Sequence, residues 1–336
     1  MTLRLLSIHT LTITVPATEP KGPRRTVVDR VDLHVDSGES LGLVGESGSG
    51  KSMTARAVLG LFASGVKATG RIEFDGSDVL TMGEAQLQRV RASRIAMVFQ
   101  DPRAHINPVR SVGDFMTEGM RDSGVSRVEA GRRAIALLAE VGIDDGDRRL
   151  AQFPHELSGG LLQRVMIAAA LAMQPDLLLA DEPTTALDVT TQSEVMAILA
   201  EVRRERGLAM LFITHDLELA AATCDRTAVM YAGRIMEVQR STSLQHAPLH
   251  PYTSGLLVSR PDIDVVQRRL QVIPGRSVAA FEAPTGCAFE PRCSYAQADC
   301  RAGEPELVLL GSAEVRCGRV DELRGTLPHT VGGPDA

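Results

Sequence analysis

The sequence predicts an α/β fold: a mostly parallel core sheet, an antiparallel β piece at the N-terminus, an inserted helical subdomain and a small cysteine-rich C-terminal domain. Three observations carry that expectation. The runs "LGLVG" (41–45), "LLLAD" (177–181), "MLFITH" (210–215) and "AVMYAG" (228–233) are short, apolar and bounded by polar or Gly residues, as suits strands buried on both faces of a parallel sheet. Between Gln100 and Ser158 the pattern turns helical. From about residue 259 periodicity fades, Pro and Gly recur, and four of the chain's five cysteines appear.

Two β-rich segments come first, 3–15 and 27–35 ("VVDRVDLHV"), around a Pro/Gly/Arg loop. In "MTLRLLSIHTLTITV" the polar residues Ser7, His9, Thr10, Thr12 and Thr14 fall in near alternation, which fits the first strand of a cytosolic protein better than a secretory leader. "LGLV" then leads into the helix "SMTARAVLGLF". Farther on, Ser126 and Glu129 form an S-x-x-E capping box ahead of "AGRRAIALLAEVGI", whose apolar positions 134, 135, 138 and 141 share one face. A helix over about 189–206 turns Val195, Ile198, Leu199 and Val202 inward and stops at Gly207. The expected domains are 1–258, with the helical subdomain over about 101–165, and 259–336.

Composition narrows the function. A net charge of -6 and no Trp, with only three Tyr, argue against a surface built for phosphate backbones and stacked bases, so no nucleic-acid partner is expected. The longest apolar run, "VMIAAALAM" (165–173), falls far short of the roughly 18 to 20 residues that cross a bilayer.

"GESGSGKS" comprises Gly45, Glu46, Ser47, Gly48, Ser49, Gly50, Lys51 and Ser52 and satisfies G-x-x-x-x-G-K-[ST] between a strand and a helix. Its glycines let backbone N–H groups curl round a β-phosphate, Lys51 reaches the β and γ oxygens, and Ser52 ligates Mg²⁺. A chance Gly/Ser turn is the competing explanation. The chain has only three lysines among 36 basic residues, and one of them occupies the position the chemistry needs. In "LLLADEP", Asp181 would hold Mg²⁺ through water and Glu182 would orient the attacking water.

Phosphate loop, "LSGG" (157–160), "LLLADEP", "ALD" (186–188) and "ITHD" (213–216), in that order, resemble the nucleotide-binding subunit of ATP-binding cassette transporters, a P-loop NTPase fold. The resemblance implies that Ser158, Gly159 and Gly160 face ATP held by a second cassette, that Gln100 in "VFQDP" links Mg²⁺ to the helical subdomain, and that His215 contacts the γ-phosphate. Two positions depart from the pattern. Leu161 stands where many cassettes have glutamine, and no aromatic precedes Phe62 to stack on adenine; Arg24 or Arg25 is the expected substitute.

"HAPLHPYTSGLL" (246–257), "VFQDPRAHINPVRSVG" and "GCAFEPRC" are similar to segments of the ATPases that serve dipeptide, oligopeptide and nickel importers. The cysteines Cys287, Cys293, Cys300 and Cys317 are spaced C-x5-C-x6-C-x16-C. Reducing cytosol disfavours disulfides, and the spacing lacks the short knuckles usual around zinc, leaving an iron–sulfur cluster and a single zinc both open, with buried free thiols as the third reading. The resemblance implies a four-iron, four-sulfur cluster. Cys224 is expected to be a buried apolar residue.

Together these features imply an ATP-hydrolysing importer subunit for peptides or a related solute, bound peripherally to the cytoplasmic side of the inner membrane. The implied partners are two permease subunits, a second homologous ATPase (a heterodimer) and an extracytoplasmic solute-binding protein. The competing classes are a soluble cassette ATPase acting on nucleic acid or ribosomes, and a metal-cluster sensor. The acidic balance opposes the first, and intact Lys51, Asp181, Glu182 and His215 oppose the second.

Overall fold

The computed structural model describes residues 4–17, 19, 22–185, 187–259 and 272–329. Leu3, Lys21, Ala186 of "ALD" and residues 260–271 at the onset of the expected tail lie outside the described residues.

Strands β1 (Arg4–Val15), β2 (Arg25–Asp36) and β3 (Ser40–Val44) precede helix α1 (Lys51–Val58). Strands β4 (Lys67–Phe74) and β5 (Ser77–Asp78), helix α2 (Glu84–Ser93) and strand β6 (Ile95–Val98) follow. Next come helices α3 (Pro102–His105), α4 (Val112–Asp122), α5 (Arg127–Glu140), α6 (Gly146–Ala151) and α7 (Gly159–Leu171). Strand–helix alternation then resumes with β7 (Leu177–Asp181), α8 (Val189–Arg206), β8 (Ala209–Thr214) and α9 (Leu217–Thr223). Strands β9 (Arg226–Tyr231) and β10 (Arg234–Arg240) lead to helices α10 (Ser241–His246) and α11 (Pro251–Val258). The tail carries α12 (Asp299–Ala302), β11 (Val308–Leu310), β12 (Ala313–Val315) and α13 (Val320–Leu323).

The chain divides into two compact units. One comprises Met1–Leu5, Val35–Glu39 and Thr81–Phe212. Its strands run in the order β8-β7-β6, and β6 pairs parallel with β7 from Ile95↔Leu177 to Val98↔Ala180. Every residue of β7 is buried, and its first four, Leu177 to Ala180, read as an unbroken apolar run before Asp181. Helices α3 to α7 occupy the stretch between β6 and β7, where the inserted helical subdomain was expected. In α5, Ser126 Oγ accepts from the Glu129 N–H at 3.3 Å, while the Glu129 carboxylate is taken up by Arg132 and Arg133 at 2.9 and 2.7 Å. The capping box is thus realised through its serine arm. Buried Ala134, Leu138 and Val141 match the expected face, joined by Leu137. Helix α8 buries Val195, Leu199 and Val202 and ends on Gly207 at φ 60°, the left-handed cap its glycine permits.

The other unit comprises Leu6–His34, Ser40–Leu80 and Ile213–Ala336. It holds a four-stranded sheet in the order β2-β1-β4-β5, antiparallel between β1 and β4 with a register shift between His9 and Thr12. Strand β4 completes the N-terminal antiparallel piece. A second set of strands runs β11-β12-β10-β9-β3, parallel between β3 and β9 and antiparallel from β9 outward. Val44, Val229, Tyr231, Tyr252, Ala288 and Phe289 belong to one buried cluster, so the tail packs into the core that also backs the phosphate loop. Among the described residues, no helix is long and apolar enough to cross a membrane.

Candidate functional site

The phosphate loop runs from fully buried β3 to α1. Gly50 takes φ 107°, and a Cβ there would lie 2.8 Å from Met230 Cε and 3.0 Å from the Val27 carbonyl. Only glycine meets both demands. Gly48, at φ 81°, has nothing within 4 Å of a would-be Cβ, so the crest of the loop, Ser47 and Gly48, is exposed. Lys51 is buried; its Nζ donates to the Gly45 carbonyl at 2.7 Å and the Glu46 carbonyl at 3.0 Å. The lysine therefore lies folded along the loop. Ser52, half-buried, opens the first turn of α1.

Glu46 is held from three sides. Its N–H donates to the Tyr252 hydroxyl at 3.1 Å, its carbonyl accepts from Ser49 N–H at 3.2 Å as well as from Lys51, and its carboxylate takes two bonds from Arg292, at 2.6 and 3.0 Å. Burial, with the Glu46 charge adding to it, raises the Tyr252 hydroxyl well above the usual phenol range, so this tyrosine stays neutral. The sequence reading missed Tyr252 and Arg292 as neighbours of the loop.

In the other unit, Asp181 is buried at the end of β7. Glu182 follows at φ 46°, a left-handed backbone that costs a residue with a side chain roughly 1–2 kcal/mol. Its carboxylate accepts from Gln100 Nε2 at 3.1 Å and Thr185 Oγ1 at 2.9 Å. Gln100 and Glu182, 82 positions apart, are thereby brought together. Ser158 caps α7, accepting from Leu161 N–H at 3.3 Å. A side chain at Gly160 would collide with Thr191 Cγ2. Thr191 is itself fixed to Asp188 through its N–H at 3.0 Å and its hydroxyl at 2.8 Å, so "LSGG" and the Asp of "ALD" interlock. His215 is exposed just beyond β8, ahead of Asp216, which caps α9.

The guanidinium of Arg24 is committed to the carbonyls of Thr14 and Gly65 at 2.7 and 2.6 Å. That of Arg25 lies 4.8 Å from the ring centroid of Phe281, an exposed aromatic of the tail.

Cys287, Cys293, Cys300 and Cys317 all line one cavity of about 230 Å³, with His250 and Tyr295 on its wall. None is in a disulfide. The Cys287 N–H donates to the Cys300 carbonyl at 2.8 Å, and a side chain at Gly286 would strike that same carbonyl. Burial pushes the Cys293 and Cys317 thiols up to about 11 and raises Cys287. Backbone N–H groups of Phe289 and Glu290 reach toward Cys287, of Tyr295 toward Cys293, and of Arg319 toward Cys317. Among the described residues, no three His, Cys, Asp or Glu side chains are grouped to hold a single metal ion. Cys224 is buried, as expected, with its Sγ 3.4 Å from a would-be Cβ on Gly42.

Comparison with known proteins agrees with this geometry. Residues 28–185 match the ABC transporter family, and residues 236–300 match the oligopeptide/dipeptide transporter C-terminal region. The chain is 42% identical to the oligopeptide transport ATP-binding protein OppD of Salmonella typhimurium, over 90% of this chain and 89% of that protein. It is 45% identical to a putative peptide import ATP-binding protein of Brucella melitensis, over 86% and 88%. Among solved structures, the cassette MJ0796 in a dimeric, post-hydrolysis state bound to ADP and Pi superposes with TM-score 0.63 at 26% identity, covering 70% of this chain and 98% of that one. The fold and site define an ATP-binding, ATP-hydrolysing cassette. The chain belongs to the ABC transporter family, with the C-terminal region of its oligopeptide/dipeptide branch.

Proposed function

We propose that this chain powers import of peptides, or of a related small solute, from the cytoplasmic face of the inner membrane. It would bind two permease subunits, pair with a second homologous ATPase and receive solute from an extracytoplasmic binding protein. The observation that carries the reading is identity of 42 to 45% to peptide-transport ATP-binding proteins over more than four-fifths of the chain, tail included.

In this reading the catalytic region is 1–258 and the tail 259–336. Lys51 and the loop N–H groups would bind the β and γ phosphates, and Ser52, Gln100 and Asp181 would hold the Mg²⁺ that neutralises their charge. Glu182 orients the attacking water and His215 contacts the γ-phosphate. Ser158, Gly159 and Gly160 serve the nucleotide of the opposite subunit, so turnover is a property of the assembly. The test is co-purification from the native membrane followed by ATPase assay. The isolated chain should hydrolyse slowly and gain activity with its partners and peptide-loaded binding protein; full-rate hydrolysis by a demonstrated monomer contradicts the reading.

We propose also that the four tail cysteines hold a four-iron, four-sulfur cluster, with zinc as the competing occupant. The support is chemical: four thiols line one cavity, with backbone N–H donors directed at three of the sulfurs. Such donors stabilise cluster thiolates, and a bound group would staple the tail.

A further inference from the structure

The phosphate loop carries a carboxylate in the second position of its motif. Glu46 lies immediately after Gly45 and two residues before Gly48, with its side chain 26% exposed. An uncompensated negative charge there repels the γ and β phosphates that Lys51 is meant to attract. The tail supplies the compensation. Arg292 grips both Glu46 carboxylate oxygens, and its own position is heavily determined. Its Nε donates to the Pro274 carbonyl at 2.8 Å, and its guanidinium lies 5.6 Å from the Tyr231 ring and 6.0 Å from that of Phe289. Tyr252 bonds the Glu46 N–H from the same side, and Tyr231, Tyr252 and Phe289 pack with centroids 4.8 to 5.4 Å apart.

We infer that Arg292 is a positioning residue for nucleotide binding: it neutralises Glu46 and fixes the phosphate loop in its receptive shape. Arg292 precedes Cys293 and closes the short turn Glu290–Arg292, whose Glu290 N–H bonds the Cys287 carbonyl at 3.0 Å. The state of the cysteine cavity therefore reaches the phosphate loop through one covalent step and one bidentate ion pair. That second link rests on the metal reading given above; the neutralisation of Glu46 does not.

The experiment is a double-mutant cycle on the full chain, reading the dissociation constant of Mg·ATP by calorimetry, with iron and zinc measured on every sample. Arg292→Ala should weaken ATP binding about tenfold or more, because it leaves the Glu46 charge unpaired. Arg292→Ala combined with Glu46→Gln should bind Mg·ATP about three- to tenfold more tightly than Arg292→Ala alone, since the repulsion is gone, with Glu46→Gln measured by itself to close the cycle. A merely structural arginine yields no such rescue. Arg292→Gln, neutral and similar in size, repeats the cycle if Arg292→Ala does not fold. Unchanged ATP affinity in folded Arg292→Ala or Arg292→Gln, or a double variant no better than the single, overturns the inference. For the second link, Cys293→Ser should lower ATP affinity in the wild-type background and much less in Glu46→Gln; equal losses in both remove the link. Protein that carries no metal at all yet shows the rescue refutes the metal reading and leaves the Arg292 inference standing.

Discussion

Gln100 donates its side-chain amide to the Glu182 carboxylate at 3.1 Å, and Glu182 holds that pose from a left-handed backbone at φ 46°. Strain of this kind persists where the surroundings over-determine a residue and clusters at functional sites. Thr185 supplies the second constraint from its hydroxyl at 2.9 Å. Glu182 is therefore held in one pose by Gln100 and Thr185.

Glu182→Gln should cut turnover by roughly 10²–10⁴-fold while leaving ATP affinity within a few fold, because an amide oxygen still accepts from Gln100 but no longer takes a proton from water. Single-turnover hydrolysis and nucleotide binding, measured on the assembled transporter with the partner site disabled, check both halves. Normal turnover by that variant would remove Glu182 from the catalytic role.

Lys51→Ala acts on binding instead. The lysine ammonium is buried against the Gly45 and Glu46 carbonyls, so in the proposed role its removal would delete a phosphate ligand, and it takes one donor from each carbonyl, that of Glu46 keeping its bond from the Ser49 N–H. ATP affinity should fall at least about tenfold. Equilibrium binding of Mg·ATP decides, and an unchanged constant would count against the phosphate-loop assignment.

At the α7–α8 junction, Gly160 meets the Thr191 methyl, which Asp188 locks in place. Gly160→Ala should destabilise the folded chain by about 1–3 kcal/mol through overpacking. Thr191→Ser deletes the colliding methyl and keeps the hydroxyl bonded to Asp188, so the double variant should regain most of that loss in urea melts. A double variant as unstable as Gly160→Ala alone would show that the glycine serves something other than this contact.

The phosphate loop, the β7 strand and the α5 and α8 faces were legible because each is a local pattern: a rare lysine after Gly50, four apolar residues closed by Asp181, apolar residues at helical spacing. Strand β4 was not, because "KATGRIEF" alternates weakly and is exposed along much of its length. The pairing of Arg292 with Glu46 spans 246 positions, and no periodicity encodes such a contact. A charged residue inside "GESGSGKS" that asks for a counter-charge was the available signal. Arg24 and Arg25 look equivalent in sequence; only the fold commits Arg24 to two carbonyls and sets Arg25 on Phe281.

Glu237 sets a pH dependence. It is fully buried, its carboxylate accepting from the N–H groups of Leu249 and His250 at 2.8 and 3.0 Å, and burial raises it from 4.5 to about 7. A raised carboxyl adds stability that is complete below about pH 4.5 and is lost as pH climbs through 7. His250, lowered by burial from 6.5 to about 3, acts with the opposite sign: its contribution is complete above pH 6.5 and fades as pH falls toward 3. Glu237→Gln removes the first effect alone. The variant should match wild type near pH 5 and exceed it near pH 8, by about 3 kcal/mol at most. Melting curves of both proteins at the two pH values test this; an identical difference at both would place the proton elsewhere.

The metal site proposed for the four tail cysteines would be structural and not catalytic. They line a single cavity whose backbone is drawn tight by the hydrogen bond from the Cys287 N–H to the Cys300 carbonyl at 2.8 Å and by the close approach at Gly286. Buried thiols with raised pKa values stay protonated and inert, whereas metal binding draws the protons off and couples occupancy to folding. Chain purified without oxygen should be brown, with about four iron and four sulfide per chain. Substituting Ser at Cys287, Cys293, Cys300 or Cys317 should release the metal and expose the tail to limited proteolysis, with hydrolysis per bound ATP reduced far less than by Glu182→Gln. Cys224→Ser, remote from the cavity wall, should leave metal content unchanged. Stoichiometric zinc without iron, in anaerobic protein from iron-replete cells, would replace the cluster by a zinc staple; protein devoid of both metals, with a tail as protease-resistant as its serine variants, would eliminate the staple altogether.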